Sequence, residues 1–143
     1  MIIRTIQRSS KYSRRRCRNA DSFINDKEHG YGIQYYRTEK KESHKKKEYD
    51  GMFEYGKIKG HGIWYQKDGV TKWYEGESNG KYAEGLGIWY RDDGVTKWKE
   101  GNFKKDKLHG HGTEWKVDGS HVTGEWFEGK ISRHTTLPKS SLF

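Results

Sequence analysis

The sequence predicts an all-β protein, an elongated single-layer antiparallel β-meander built from repeats and preceded by a disordered basic arm. Three observations predict it. Gly-x-Gly pairs occur at Gly30/Gly32, Gly60/Gly62, Gly85/Gly87 and Gly110/Gly112, the last three at a constant interval of 25 residues. Aromatic residues make up 15% of the 143 residues, while Leu, Ile, Val and Phe together number only 22, too few to fill a thick aliphatic core. Asp-Gly pairs recur at Asp68-Gly69, Asp93-Gly94 and Asp118-Gly119, where a chain can reverse direction. Periodicity on this scale signals a repeat array.

The elements follow in order. Residues 60–76 read GHGIWYQKDGVTKWYEG and residues 85–101 read GLGIWYRDDGVTKWKEG. In Tyr49-Asp50-Gly51-Met52-Phe53 the odd positions share one strand face, because side chains alternate across a strand. Tyr55-Gly56-Lys57 then reads as a turn. Gly60 to Tyr65 reads as a second strand, and Asp68-Gly69 as a short hairpin in which both turn residues take positive φ. Glycine weakens a strand interior, so each one needs a reason. The reason read here is close approach: Gly51, Gly60, Gly62, Gly76, Gly85, Gly87, Gly101, Gly110 and Gly112 leave holes that aromatic rings from neighbouring strands can cover. This arrangement buries rings without a second layer.

These motifs resemble the MORN (membrane occupation and recognition nexus) repeat. Tyr49, Gly51, Phe53, Gly56, Lys57, Gly60 and Gly62 match its defining places. The next unit matches at Tyr74, Gly76, Gly85 and Gly87 but has Ser78 for the usual aromatic and an early turn glycine, Gly80. The third matches at Gly101, Phe103, Lys107, Gly110 and Gly112, with Lys99 in place of Tyr and Asp106 in place of the turn Gly. A half unit closes at Gly124, Trp126, Gly129 and Lys130, and Phe23, Asp26, Lys27, Gly30 and Gly32 form a degenerate first unit. The resemblance implies about four and a half repeats and a twisted ribbon roughly 45 Å long. The interval exceeds the family's usual one by two residues, for which longer hairpin strands are the simplest account.

The chain divides into a basic arm over 1–18, the array over 19–131 with a Lys-rich loop at 37–48, and a tail over 132–143. The arm carries seven basic residues and no acid, whereas residues 49–131 are close to neutral. The arm, part of the loop and the tail are expected to stand outside the sheet. No apolar stretch approaches the roughly 18 residues of a spanning helix, and the lone Cys17 excludes a disulfide framework. A cytoplasmic protein associated with cytoskeleton or membrane is expected. Mitochondrial import through residues 1–18 is the lesser alternative.

No serine elbow, phosphate loop or His-Glu-x-x-His is present, so no catalytic residue and no enzymatic activity are assigned. His109 and His111 share a strand face, but no third ligand stands at a recognisable spacing, so neither metal nor cofactor is expected. The candidate partner-binding surface is aromatic. Tyr65, Tyr90 and Trp115 line one face, Trp64 and Trp89 point the other way, and Trp73 and Trp98 lie across the hairpins. A single-layer sheet does not cover both faces by itself, which leaves room for a partner helix, a peptide or an acidic cytoskeletal surface. Arg14, Arg15, Arg16 and Arg18, with Lys45, Lys46 and Lys47, are candidate contacts to an anionic partner, including anionic phospholipid. RNA bound through the arm alone would be held non-specifically and lost with salt, so nucleic acid is the least supported partner. Exposed terminal strands also allow a homodimer through strand edges. The resemblance implies a non-catalytic scaffold in a cytoskeletal, ciliary or membrane-associated assembly.

Overall fold

The computed structural model of the protein describes residues 22–24, 27–36 and 46–134. Ten strands follow one another in space in their chain order: β1 (Ser22–Ile24), β2 (Lys27–Tyr35), β3 (Lys47–Glu54), β4 (Lys57–Tyr65), β5 (Lys72–Ser78), β6 (Ala83–Tyr90), β7 (Lys97–Lys104), β8 (Lys107–Trp115), β9 (His121–Phe127) and β10 (Lys130–His134). Every neighbouring pair is antiparallel, and the described residues hold no helix. The array therefore runs three residues past position 131, and Lys47 belongs to β3 rather than to the preceding loop.

One row of glycines fixes the register. Gly32, Gly51, Gly62, Gly76, Gly87, Gly101, Gly112 and Gly124 stand opposite one another across eight successive strands. The two glycines of each Gly-x-Gly pair have different tasks. The second, as in Gly62, joins this row. The first, as in Gly60 at φ 99°, takes a left-handed conformation inside a bulge, where β4 spends three residues against one on β3.

The core lies on the glycine face, along two flanking rows. Tyr49, Trp64, Tyr74 and Trp89 form one row; Phe53, Ala83, Phe103, Leu108 and Trp126 lie on the other side of the glycines. The rings pack against one another along the ribbon: Tyr49 and Trp64 centroids are 4.7 Å apart, Tyr74 and Trp89 5.1 Å. Such tilted and edge-on pairs add to the burial itself.

The turns alternate between two edges. At one edge, Tyr55-Gly56 and Glu128-Gly129 are two-residue turns with positive φ at both positions, the geometry that suits a twisted hairpin. Lys105-Asp106 does the same without glycine, at φ 48° and 68°. The β5–β6 connection opens to four residues, and Asn79 closes it by accepting hydrogen bonds from the Lys81 and Tyr82 amides.

The other edge corrects the expectation of a two-residue Asp-Gly hairpin with longer strands. Residues 66–71 form a six-residue loop, and only Gly69 has positive φ. Asp68 Oδ1 accepts the Val70 and Thr71 amides at 2.9 Å, and the Thr71 hydroxyl donates to Oδ2. Asp93 repeats this with Val95 and Thr96. The β8–β9 loop has one residue fewer, and its strand pair lacks a second difference: β5 and β7 carry a bulge residue, Trp73 and Trp98. One loop residue and one bulge residue thus account for the long interval. The bulge re-aims Trp73 onto the same face as its neighbour Tyr74, and both are buried.

Candidate partner-binding face

The seven aromatics singled out from sequence fall on two faces, and the structure narrows the candidate surface. Trp64, Trp89 and Trp73 retain 1%, 3% and 8% exposure and belong to the core. Trp73 donates its indole N–H to the Tyr65 carbonyl at 2.9 Å. Trp98 is half-buried and packs against the same core. These four are therefore taken up by intramolecular packing: Trp64, Trp73 and Trp89 stack on Tyr49, Tyr74 and one another, and Trp98 packs beside them. Tyr65, Tyr90 and Trp115 sit on the opposite face, half-buried, each at the end of an even-numbered strand.

That second face is a checkerboard. Ile33, Asp50, Ile63, Glu75, Ile88, Glu100 and Thr113 alternate across neighbouring strands. Beside this row, Tyr35 faces Lys47, Tyr65 faces Lys72 and Tyr90 faces Lys97. Each lysine bonds a carboxylate three residues on: Lys47 to Asp50 at 2.9 Å, Lys72 to Glu75 at 3.1 Å and Lys97 to Glu100 at 2.7 Å. Each also lies over the ring of the next repeat: Lys47 at 5.9 Å from the Tyr65 centroid, Lys72 at 5.0 Å from Tyr90 and Lys97 at 5.8 Å from Trp115. Tyr90 closes one such triad by donating to Glu75 at 3.1 Å.

The electrostatics follow from these contacts. The hydrogen bond to Glu75 raises the Lys72 ammonium above its ordinary range, and the bond to Asp50 does the same for Lys47. Partial burial pushes Glu75 up, but the bonds from Lys72 and Tyr90 outweigh it and hold the carboxyl below the usual range. Burial and the neighbouring Glu75 raise the Tyr90 phenol. All three lysines are already paired with a carboxylate.

Lys46 and Lys47, grouped together from sequence, are placed differently from each other: Lys46 ends the β2–β3 connection and Lys47 begins β3. Lys46 is exposed, and its carbonyl accepts the Tyr36 amide at 2.8 Å, while Lys47 is committed to Asp50 and Tyr65. Arg14, Arg15, Arg16, Arg18 and Lys45 lie outside the described residues. Gly51, Gly62, Gly76, Gly87, Gly101 and Gly112 occupy the central row; Gly60, Gly85 and Gly110 have φ of 99°, 99° and 102°.

Sequence reasoning passed over two sets of residues. Tyr31, Met52, Leu86 and Phe127 are exposed apolar residues; Tyr31, Met52 and Leu86 alternate with row glycines and so belong to the checkerboard face. Strict alternation around the glycines carried that signal. Val70, Val95 and Val117 stand 78%, 79% and 89% exposed in three consecutive loops of one edge. Their signal was a β-branched residue kept at one loop position in the two near-identical repeats. His111 pairs with Glu125 at 3.3 Å and His109 stacks on Phe127. Among the described residues no three His, Cys, Asp or Glu side chains come together as metal ligands, and no helix is long and apolar enough to cross a membrane.

Comparison with known families finds the MORN repeat at residues 22–39, 49–71 and 100–121. The stretch between the second and third matches, residues 72–99, contains the four-residue β5–β6 connection; Ser78, which ends β5, and Gly80 within the connection depart from the pattern. No curated protein matches the chain.

Proposed function

We propose that this chain of MORN repeats is a non-catalytic scaffold that holds a protein partner, a helix or an extended peptide, along the face carrying Tyr65, Tyr90 and Trp115. MORN repeats point to a non-catalytic repeat protein. One observation supports the finer reading. The single sheet spends its large rings on the glycine face and leaves the checkerboard face half-exposed, with aromatic, lysine and carboxylate groups recurring every second strand. A partner lying along the ribbon meets the same chemistry at steps of roughly 10 Å. The proposed setting is a cytoskeletal, ciliary or membrane-associated assembly.

The test is a pull-down on residues 19–143 beside a variant with Tyr65→Ser, Tyr90→Ser and Trp115→Ser, its fold checked by circular dichroism. A partner held equally by both chains would sink the reading.

A second reading has its own support. The Lys-rich connection between β2 and β3 leaves from the same edge as the exposed Val70, Val95 and Val117. Apolar tips beside basic residues suit an anionic phospholipid surface. Sedimentation with phosphoinositide vesicles, for the full chain and for a chain lacking residues 1–18, tests it. Absence of binding by both removes this reading and leaves the first intact.

A further inference from the structure

The array changes chemistry at its third repeat. In the two repeats before it, Tyr49 stands opposite Trp64 and Tyr74 opposite Trp89 on the glycine face. None of the four exceeds 3% exposure. The equivalent places on β7 and β8 hold Lys99 and Glu114, directly opposite each other. A charged pair in an interior row carries a desolvation cost that only good geometry repays. The geometry within the chain is poor. Lys99 Nζ lies 3.9 Å from Glu114 Oε1, and the two side chains keep 23% and 35% of their surface in water. Lys99 Nζ leans instead on the Trp98 ring, 4.4 Å from its centroid. Val122, opposite Glu114, and Trp98 are only partly buried.

We infer that this patch docks a second copy of the chain about a two-fold axis, with Lys99 of each copy against Glu114 of the other. Charge complementarity carries the argument. Opposite charges side by side, flanked by apolar Trp98 and Val122, match themselves after a half-turn, so an isologous contact sets each lysine against a carboxylate. Both charges keep enough exposure to reach a partner, and the apolar flanks would exclude water around the new pairs and strengthen them. The contact lies on the glycine face, so it leaves the Tyr65, Tyr90 and Trp115 face free and duplicates it in the dimer. It is independent of which partner that other face holds.

Sedimentation velocity of the full chain over a wide concentration range tests this. The wild type is expected to show a concentration-dependent dimer. Lys99→Glu and Glu114→Lys each set like charges together and should abolish it. An equimolar mixture of these two variants should restore it, because every contact in the mixed dimer is again attractive. An interaction confined to one chain gives no such recovery. Lys99→Gln and Glu114→Gln remove charge without adding repulsion, and each should weaken association ~10-fold or more while circular dichroism stays unchanged. A wild type that remains monomeric throughout overturns the inference. So do charge-reversed chains that dimerise like the wild type, or a mixture that fails to associate.

Discussion

The ring of Tyr49 fills the space that a Cβ on Gly62 would occupy. Its hydroxyl reaches across the row and donates to the Met52 carbonyl at 3.1 Å. Tyr74 repeats the arrangement over Gly87 and donates to the Glu77 carbonyl at 2.6 Å. In this way a sheet with no second layer buries Tyr49 and Tyr74 completely. In the third repeat Lys99 cannot do this, and the space over Gly112 is taken by Leu108, whose Cδ2 would lie 2.8 Å from an added Cβ. Trp126 donates to the Gly112 carbonyl at 2.9 Å.

Gly62→Val and Gly87→Val should each destabilise the ribbon by ~1–3 kcal/mol or more, since the new side chain displaces a packed ring. Thermal unfolding reads the effect. Combining Gly62→Val with Tyr49→Leu should cost less than the two single changes together, because both act on one space. Strict additivity would show that the ring and the glycine are not coupled.

Asp106 makes stability depend on pH. Burial pushes its carboxyl up to about 6; the bond from the Ala83 amide opposes this, and the nearby Glu84 adds to it. The folded chain therefore binds a proton more tightly than the unfolded one. The contribution of this group to stability is fully present below the usual value near 3.8 and is lost as pH rises through about 6. Asp106→Asn keeps an acceptor for Ala83 and suits the left-handed turn. It should raise stability by ~1 kcal/mol at neutral pH, allowing for solvent screening, and change little at pH 4. Denaturant melts at the two pH values check this.

The Lys72–Glu75–Tyr90 triad is partly exposed, so Lys72→Met should cost ~0.5 kcal/mol or less, and the loss should shrink in high salt. Denaturant titrations at two ionic strengths decide it. A large, salt-independent loss would mean that the lysine stem, rather than its charge, holds the Tyr90 ring.

Trp126 is the last buried ring of the array. Trp126→Ala should cost ~3–5 kcal/mol and act mainly at the C-terminal end, because repeats contact chiefly their neighbours. Hydrogen exchange should show β9 and β10 opening while β3 to β6 stay protected. Uniform loss of protection would contradict local coupling.

Asp68 should protect its loop by its charge. The Thr71 hydroxyl, then the Val70 and Thr71 amides, lower its pKa, so this support is present above the ordinary aspartate range and lost as pH falls through the lowered value. Asp68→Ala should abolish exchange protection at Val70 and Thr71 and leave the strands unchanged.

Much of the fold was legible because glycine and aromatic residues alternate at a repeated interval. Tyr49, Gly51 and Phe53 could only share one face, and the repeat of that face every 25 residues implied a meander. The loops were less legible. Asp68-Gly69 looks like a tight turn, yet the Asp68 carboxylate prefers to cap two amides and a hydroxyl, and it holds a six-residue loop instead. The candidate face was legible only in part. Alternation placed Tyr65 and Trp64 on opposite faces but could not say which one the fold would cover.

The sequence alone determined the all-β class and the antiparallel meander order, because period-two alternation and a fixed interval leave few other arrangements; it grouped Gly60, Gly85 and Gly110 with the row glycines, whereas they lie in bulges. Tertiary structure decided which ring lies over which glycine, and so which face is left half-exposed. Covering Trp64 and Trp89 depends on Tyr49, Tyr74 and the bulged Trp73 leaning in from neighbouring strands. Those contacts are set by bulges and ring tilts, which no single strand encodes.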